Sequence, residues 1–187
     1  MSETINLEKG QKVDITKTNP GLNKLILGGG WDVAATGSVD LDLAAYLMTG
    51  GKIEKTTDIV FFNYKKHDSG AIELDKDNLT GEGEGDDEKI FVDLSKVPAA
   101  IDKIVFSINI YKAAERSQNF GLVKNAFVRL VTPEGKELVK YDLSEDYSAF
   151  TAIIAGELYK KDGEWKFAAL GEGVKGSIKE ISAKYGL

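Results

Sequence analysis

Short runs of alternating apolar and polar residues, with no long apolar or helical stretch, most narrow the folds open to this chain. Val39-Asp-Leu-Asp-Leu-Ala-Ala-Tyr-Leu-Met48, Asp58-Ile-Val-Phe-Phe-Asn-Tyr64 and Lys103-Ile-Val-Phe-Ser-Ile-Asn-Ile-Tyr111 carry the period of two expected of strands. Shorter candidates are 12–16, 24–27, 90–93, 126–131, 136–142, 152–160 and 164–170. Turn residues separate them at Asn19-Pro-Gly21, Pro133-Glu-Gly135 and Lys161-Asp-Gly163. The last of these joins 152–160 to 164–170 as a hairpin. Helix is expected only at 97–101, 113–118 and 176–185. The expected fold is mainly β: a two-sheet antiparallel β-sandwich with a few short helices, one domain over residues 1–187.

The chain has no cysteine. That excludes disulfides, thiolate metal sites and a cysteine nucleophile, and it suits a reducing cytoplasm. The first residues lack a basic start followed by an apolar run, so no secretory signal is expected. No segment approaches the length of apolar residues that spans a bilayer, and direct membrane insertion is not expected.

Charge is concentrated rather than spread. Between Glu73 and Glu88 eight acids face one base, Lys76, a net of −7; the whole chain carries −6, so the remainder sums to +1. A nearly neutral body with one acidic loop has no basic stripe for phosphates, and nucleic acid is not an expected partner.

Within that loop, Gly81, Gly83 and Gly85 free the backbone to turn tightly between carboxylates. Such a loop either stays solvated, as most charge runs do, or wraps a hard divalent cation. Calcium takes six to eight oxygen ligands in flexible geometry, and the loop supplies only oxygens. Its spacing is not that of an EF-hand, since Leu79 and Thr80 fall where a ligand and a glycine are required. Asp40 and Asp42 share one face of their strand, opposite Val39, Leu41 and Leu43; they face either water or the same cation. Asp32 either adds a ligand or caps a turn.

Enzymatic signals are weak. His67 is the single histidine and lies in a polar turn, with no Ser or Asp recognisably placed to complete a triad. Gly28-Gly-Gly30 lacks the Lys-Ser/Thr of a phosphate loop. So many adjacent acids make a poor differentiated acid–base pair. The expectation is a non-enzyme.

Several segments together resemble the TerD family of tellurium-resistance and stress-response proteins. These are Gly28-Gly-Gly-Trp-Asp32, Asp40-Leu-Asp-Leu43, Asp77-Asn-Leu-Thr-Gly-Glu-Gly-Glu-Gly-Asp-Asp-Glu88, Leu94-Ser-Lys-Val-Pro98, Asp102-Lys-Ile-Val-Phe106, Gln118-Asn-Phe-Gly121, Asn125-Ala126, Tyr141-Asp-Leu-Ser-Glu-Asp146 and Gly156-Glu-Leu-Tyr159. The likeness spans about residues 4–187. It implies a β-sandwich binding calcium, usually two ions, in bacterial tellurite-resistance and stress operons. The implied ligands are Asp77, Asn78, Glu82, Glu84, Asp86, Asp87 and Glu88, with Asp40 and Asp42 across from them and Leu79 contributing a main-chain oxygen. Gly29 and Ala44 depart from the pattern, where many members carry a larger apolar residue and a third acid. The implied role is non-catalytic regulation or scaffolding in a cytoplasmic stress-response complex, membrane-associated only through partners. A metal-independent interaction scaffold is the alternative.

Overall fold

In the computed structural model, which describes residues 3–33, 38–75 and 85–187, the strand β4 (Leu41–Met48) is buried on both faces. Its inward row, Leu41, Leu43, Ala45 and Leu47, enters the main core between two sheets. Its outward row continues through Ala44, Tyr46 and Met48 into a second apolar cluster with Ile154 and Ile181. Ile181 comes from the helix α1 (Ile178–Lys184), which lies over the sheet. The glutamate Glu180 fixes the start of α1 by accepting from the Ser177 N–H at 2.7 Å and the Ser177 Oγ at 2.9 Å.

The remaining strands are β1 (Ile5–Leu7), β2 (Lys12–Asp14), β3 (Lys24–Val33), β5 (Ile59–Val60), β6 (Ile72–Leu74), β7 (Glu88–Asp93), β8 (Lys103–Ile110), β9 (Val123–Val131), β10 (Glu137–Asp142), β11 (Ala152–Lys161) and β12 (Glu164–Val174). Among the described residues they form two six-stranded sheets. The first runs β1-β10-β9-β3-β7-β6 and the second β2-β12-β11-β8-β4-β5. The pairing is antiparallel except at one edge, where β1 joins β10 in parallel. The expected mainly β sandwich is what the chain forms.

The β11–β12 hairpin turns at Asp162 (φ 53°) and Gly163 (φ 77°), two left-handed residues that match the strand twist. Elsewhere the boundaries move. Only Ile59 and Val60 of the 58–64 run pair with β4. Phe61 and Tyr64 then exchange backbone hydrogen bonds at 3.0 and 2.9 Å, so the chain reverses at Phe62-Asn63. No helix forms at 113–118, because Lys112 (φ 51°) and Ser117 (φ 52°) are left-handed. The 97–101 segment is likewise not helical; a single 3-10 turn, Leu94–Lys96, precedes it, capped by the Asp93 carboxylate. At the C-terminus the helix is the shorter Ile178–Lys184.

Candidate functional site: the stem of the acidic loop

The acidic loop returns to the fold over a glycine floor. β3 does not stop at Leu27 as its composition suggests; it runs on through Gly28-Gly-Gly30, pairing with β7 on one side and β9 on the other. Gly29 faces inward, where an added Cβ would meet Leu43 Cδ2 at 3.0 Å. Gly28 and Gly30 therefore face outward. A Cβ on Gly28 would lie inside the Asp86 carboxylate, and one on Gly30 would run into the Phe127 ring and meet the Gly85 carbonyl oxygen at 2.8 Å. The glycines clear a track for residues 85 and 86 across the sheet.

Along that track Asp86 reaches Arg129 on β9. Arg129 Nε donates to Asp86 Oδ1 at 2.7 Å and Nη2 to Oδ2 at 3.1 Å, while Nη1 donates to Glu137 Oε2 at 2.8 Å. The Asp86 side chain is 3% exposed and Arg129 29%, so this is a forked pair with its acid fully covered. Both carboxylates push the Arg129 pKa upward, Asp86 most strongly.

Asp87 holds the next point. Its N–H donates to the Gly29 carbonyl at 2.8 Å. Its Oδ2 accepts from the Trp31 N–H at 2.8 Å, at the place where the β3–β9 register slips between Gly30 and Asp32. A bulge leaves a backbone donor outside the ladder, and here the carboxylate meets it. Burial raises the Asp87 pKa; the Trp31 hydrogen bond opposes this, and the negative charges of Asp32 and Asp86 add to it. Asp32 itself caps no turn: it stands in β3 and accepts from Asn125 Nδ2 at 2.8 Å.

Glu88 points inward. It is 2% exposed, and its Oε2 accepts from the Leu43 N–H at 2.7 Å. That bond ties the first strand after the loop to β4 of the opposite sheet.

Of the expected ligands, Asp77, Asn78, Leu79, Glu82 and Glu84 lie outside the described residues. Asp42 is 4% exposed and shares the outer face of the second sheet with the fully buried Ala44. Asp86 lies on the outer face of the first, so the sandwich stands between them. Asp40 precedes β4, its carbonyl accepting from the Tyr111 N–H at 2.8 Å. Among the described residues no three acidic or histidine side chains gather closely enough to hold a metal ion. The residues missed by sequence reasoning are Arg129 and the glycine floor.

His67 is also differently placed from its expected polar turn: it sits in a turn but is buried. Its Nδ1 accepts from the Ser69 N–H at 3.2 Å, and its Nε2 pairs with Asp58 Oδ1 at 3.2 Å. Ser69 Oγ, 2.7 Å from Nδ1, accepts in turn from the Ala71 N–H at 3.1 Å. The three side chains thus clip this turn to the segment before β5.

A family model described as the TerD domain matches residues 3–185. The chain belongs to the TerD family. General stress protein 16U of Bacillus subtilis is 53% identical to it over 189 residues, covering 98% of each chain. Tellurium resistance protein TerD of Serratia marcescens is 40% identical over 188 residues, again 98% of each. A solved structure of a telluride resistance protein (TerD) homologue from Streptomyces coelicolor superposes with a TM-score of 0.71. It covers 87% of this chain and 96% of that one at 21% identity, a likeness of fold. Among the described residues no helix is long and apolar enough to cross a membrane.

Proposed function

We propose that this TerD-family chain is a calcium-binding, non-catalytic module of the bacterial stress response, acting in the cytoplasm by presenting its ion-loaded loop to partner proteins. The observation that carries the reading is the stem. A segment of net charge −7 is pinned at its exit by Arg129, Trp31 and Leu43. Beside the pins, Asp87 is half-buried and held in the field of Asp32 and Asp86. Fixing like charges together costs free energy that a divalent cation offsets.

The donor chemistry is all oxygen, which suits calcium over softer metals. The stem residues divide the work. Asp86 and Glu88 anchor the loop. Asp77, Asn78, Glu82 and Glu84, with Asp87 at the stem and Asp40 ahead of β4, hold the ion, and Leu79 offers a main-chain oxygen. The relatives' names speak of tellurium resistance and stress, but with no thiol in the chain direct reduction of an oxyanion has no group to perform it. A regulatory or scaffolding part fits better.

Isothermal titration tests this. Calcium should bind with micromolar or tighter affinity, and Asp87→Asn or Glu82→Gln/Glu84→Gln should weaken it at least about ten-fold. Absence of heat up to millimolar calcium would leave the metal-independent scaffold as the better account.

A further inference from the structure

The outer face of the second sheet carries a cavity of about 550 Å³ that the calcium reading does not use. Phe61, Phe62 and Tyr111 wall it. The phenylalanine rings meet edge to face at 5.3 Å, and Phe62 meets Tyr111 the same way at 5.4 Å. Ile178 of α1 contributes to the lining. Asp42 and Asn109, cross-strand partners on β4 and β8, bring the buried polar groups.

Asn109 is 3% exposed and its orientation is set. Nδ2 donates to Ser107 Oγ at 2.8 Å and to the Asp42 carbonyl at 3.4 Å. Ser107 Oγ in turn pairs with the Tyr46 hydroxyl at 2.9 Å. Asn109 lines the cavity; its amide nitrogen is committed below, and its Oδ1, itself buried, has no hydrogen-bond partner among the described residues. A buried acceptor in that position gains from any donor that reaches it.

We propose that this cavity binds a small protonated amine with an apolar, ring-sized body. The ammonium donates to Asn109 Oδ1 beside the Asp42 carboxylate, and the body packs against the three rings. A carboxylate of the same shape would meet acceptor and negative charge together. A neutral apolar ligand would leave Oδ1 unmet. The volume falls within the roughly 300–1,000 Å³ of small-molecule sites. Lys112 and Lys175 at the lining are matched by Glu115 and Glu180, so charge there does not oppose entry.

The test uses the full chain with 3-phenylpropylamine and its isosteric opposite, 3-phenylpropionate, each titrated with chelator and again with calcium, followed by calorimetry and amide chemical shifts. The amine should bind at one saturable site, with shifts centred on Phe61, Asn109 and Tyr111. It should bind at least about ten-fold more tightly than the carboxylate. Asn109→Leu should weaken the amine by a similar factor. Ala114→Trp, a change at an exposed lining position that leaves the buried polar groups alone, should block it. Equal binding of the two probes, no saturation by about 10 mM amine, or binding unchanged in both variants would overturn the proposal. The calcium isotherm from the same samples judges the loop separately, so either reading can fail alone.

Discussion

Gly28→Ala is a small change with a large expected cost. The residue's φ is not left-handed, so alanine is conformationally allowed and by itself would stabilise by about 0.5–1 kcal/mol through the unfolded state. Its Cβ, however, falls within the Asp86 carboxylate. Asp86 must leave, and its forked pair with Arg129 goes with it. Breaking a buried pair costs about 3–5 kcal/mol; with Arg129 29% exposed, screening lowers this to about 2–3 kcal/mol. The net loss is about 2 kcal/mol, or roughly 4–8 °C in melting temperature for a chain of this size. The same substitution in an Asp86→Ala background meets no carboxylate and should be neutral or stabilising. Denaturant unfolding of the wild type, both single variants and the double variant measures the coupling. Additive effects, or a Gly28→Ala chain as stable as wild type, would refute the idea that the glycine exists to admit Asp86.

Two further outcomes follow from the stem and the loop. Burial and neighbouring acids raise the Asp87 pKa in the folded protein. Its contribution to stability is therefore full below the unfolded-state value and is lost as pH rises through the folded-state value. In chelator, Asp87→Asn should melt higher than wild type at pH 7, with the gap closing as pH falls towards 4; a variant less stable at pH 7, or a gap independent of pH, contradicts this. For the wild type, free calcium at about a hundred times its dissociation constant should add about 2.7 kcal/mol, roughly 5–10 °C. Superimposable melting curves with calcium and with chelator would count against binding.

Much of the sandwich was legible because burial on a pleated sheet writes itself as alternation. β8 shows it through Ile104, Phe106 and Ile108 in the core, and the Asp-Gly turn announced the β11–β12 hairpin. The failures were places where distant contacts overrule local composition. Gly28-Gly-Gly30 reads as the end of a strand, yet the ladder continues because the glycines make room for a loop some 57 residues on. Three-residue edge strands such as β1 and β6 are too short to show a period. The 113–118 segment has helical composition, but left-handed Lys112 precedes it and left-handed Ser117 interrupts it.

The candidate site divides the same way. Its acidity was plain from composition. That Asp86 serves Arg129 and Glu88 serves the Leu43 N–H was not, because those partners lie 43 and 45 residues away and join only when the sheets form. His67 was hidden similarly: a polar neighbourhood in sequence becomes a buried clip once Asp58 closes over it.

The most direct test of the loop is a crystal structure grown in calcium, with anomalous differences collected at long wavelength. The account predicts at least one strong peak ringed by oxygens from residues 77–87 and Asp40, with Asp86 still on Arg129 and outside the coordination shell. A well-ordered loop with no peak, its carboxylates turned to solvent, would contradict it.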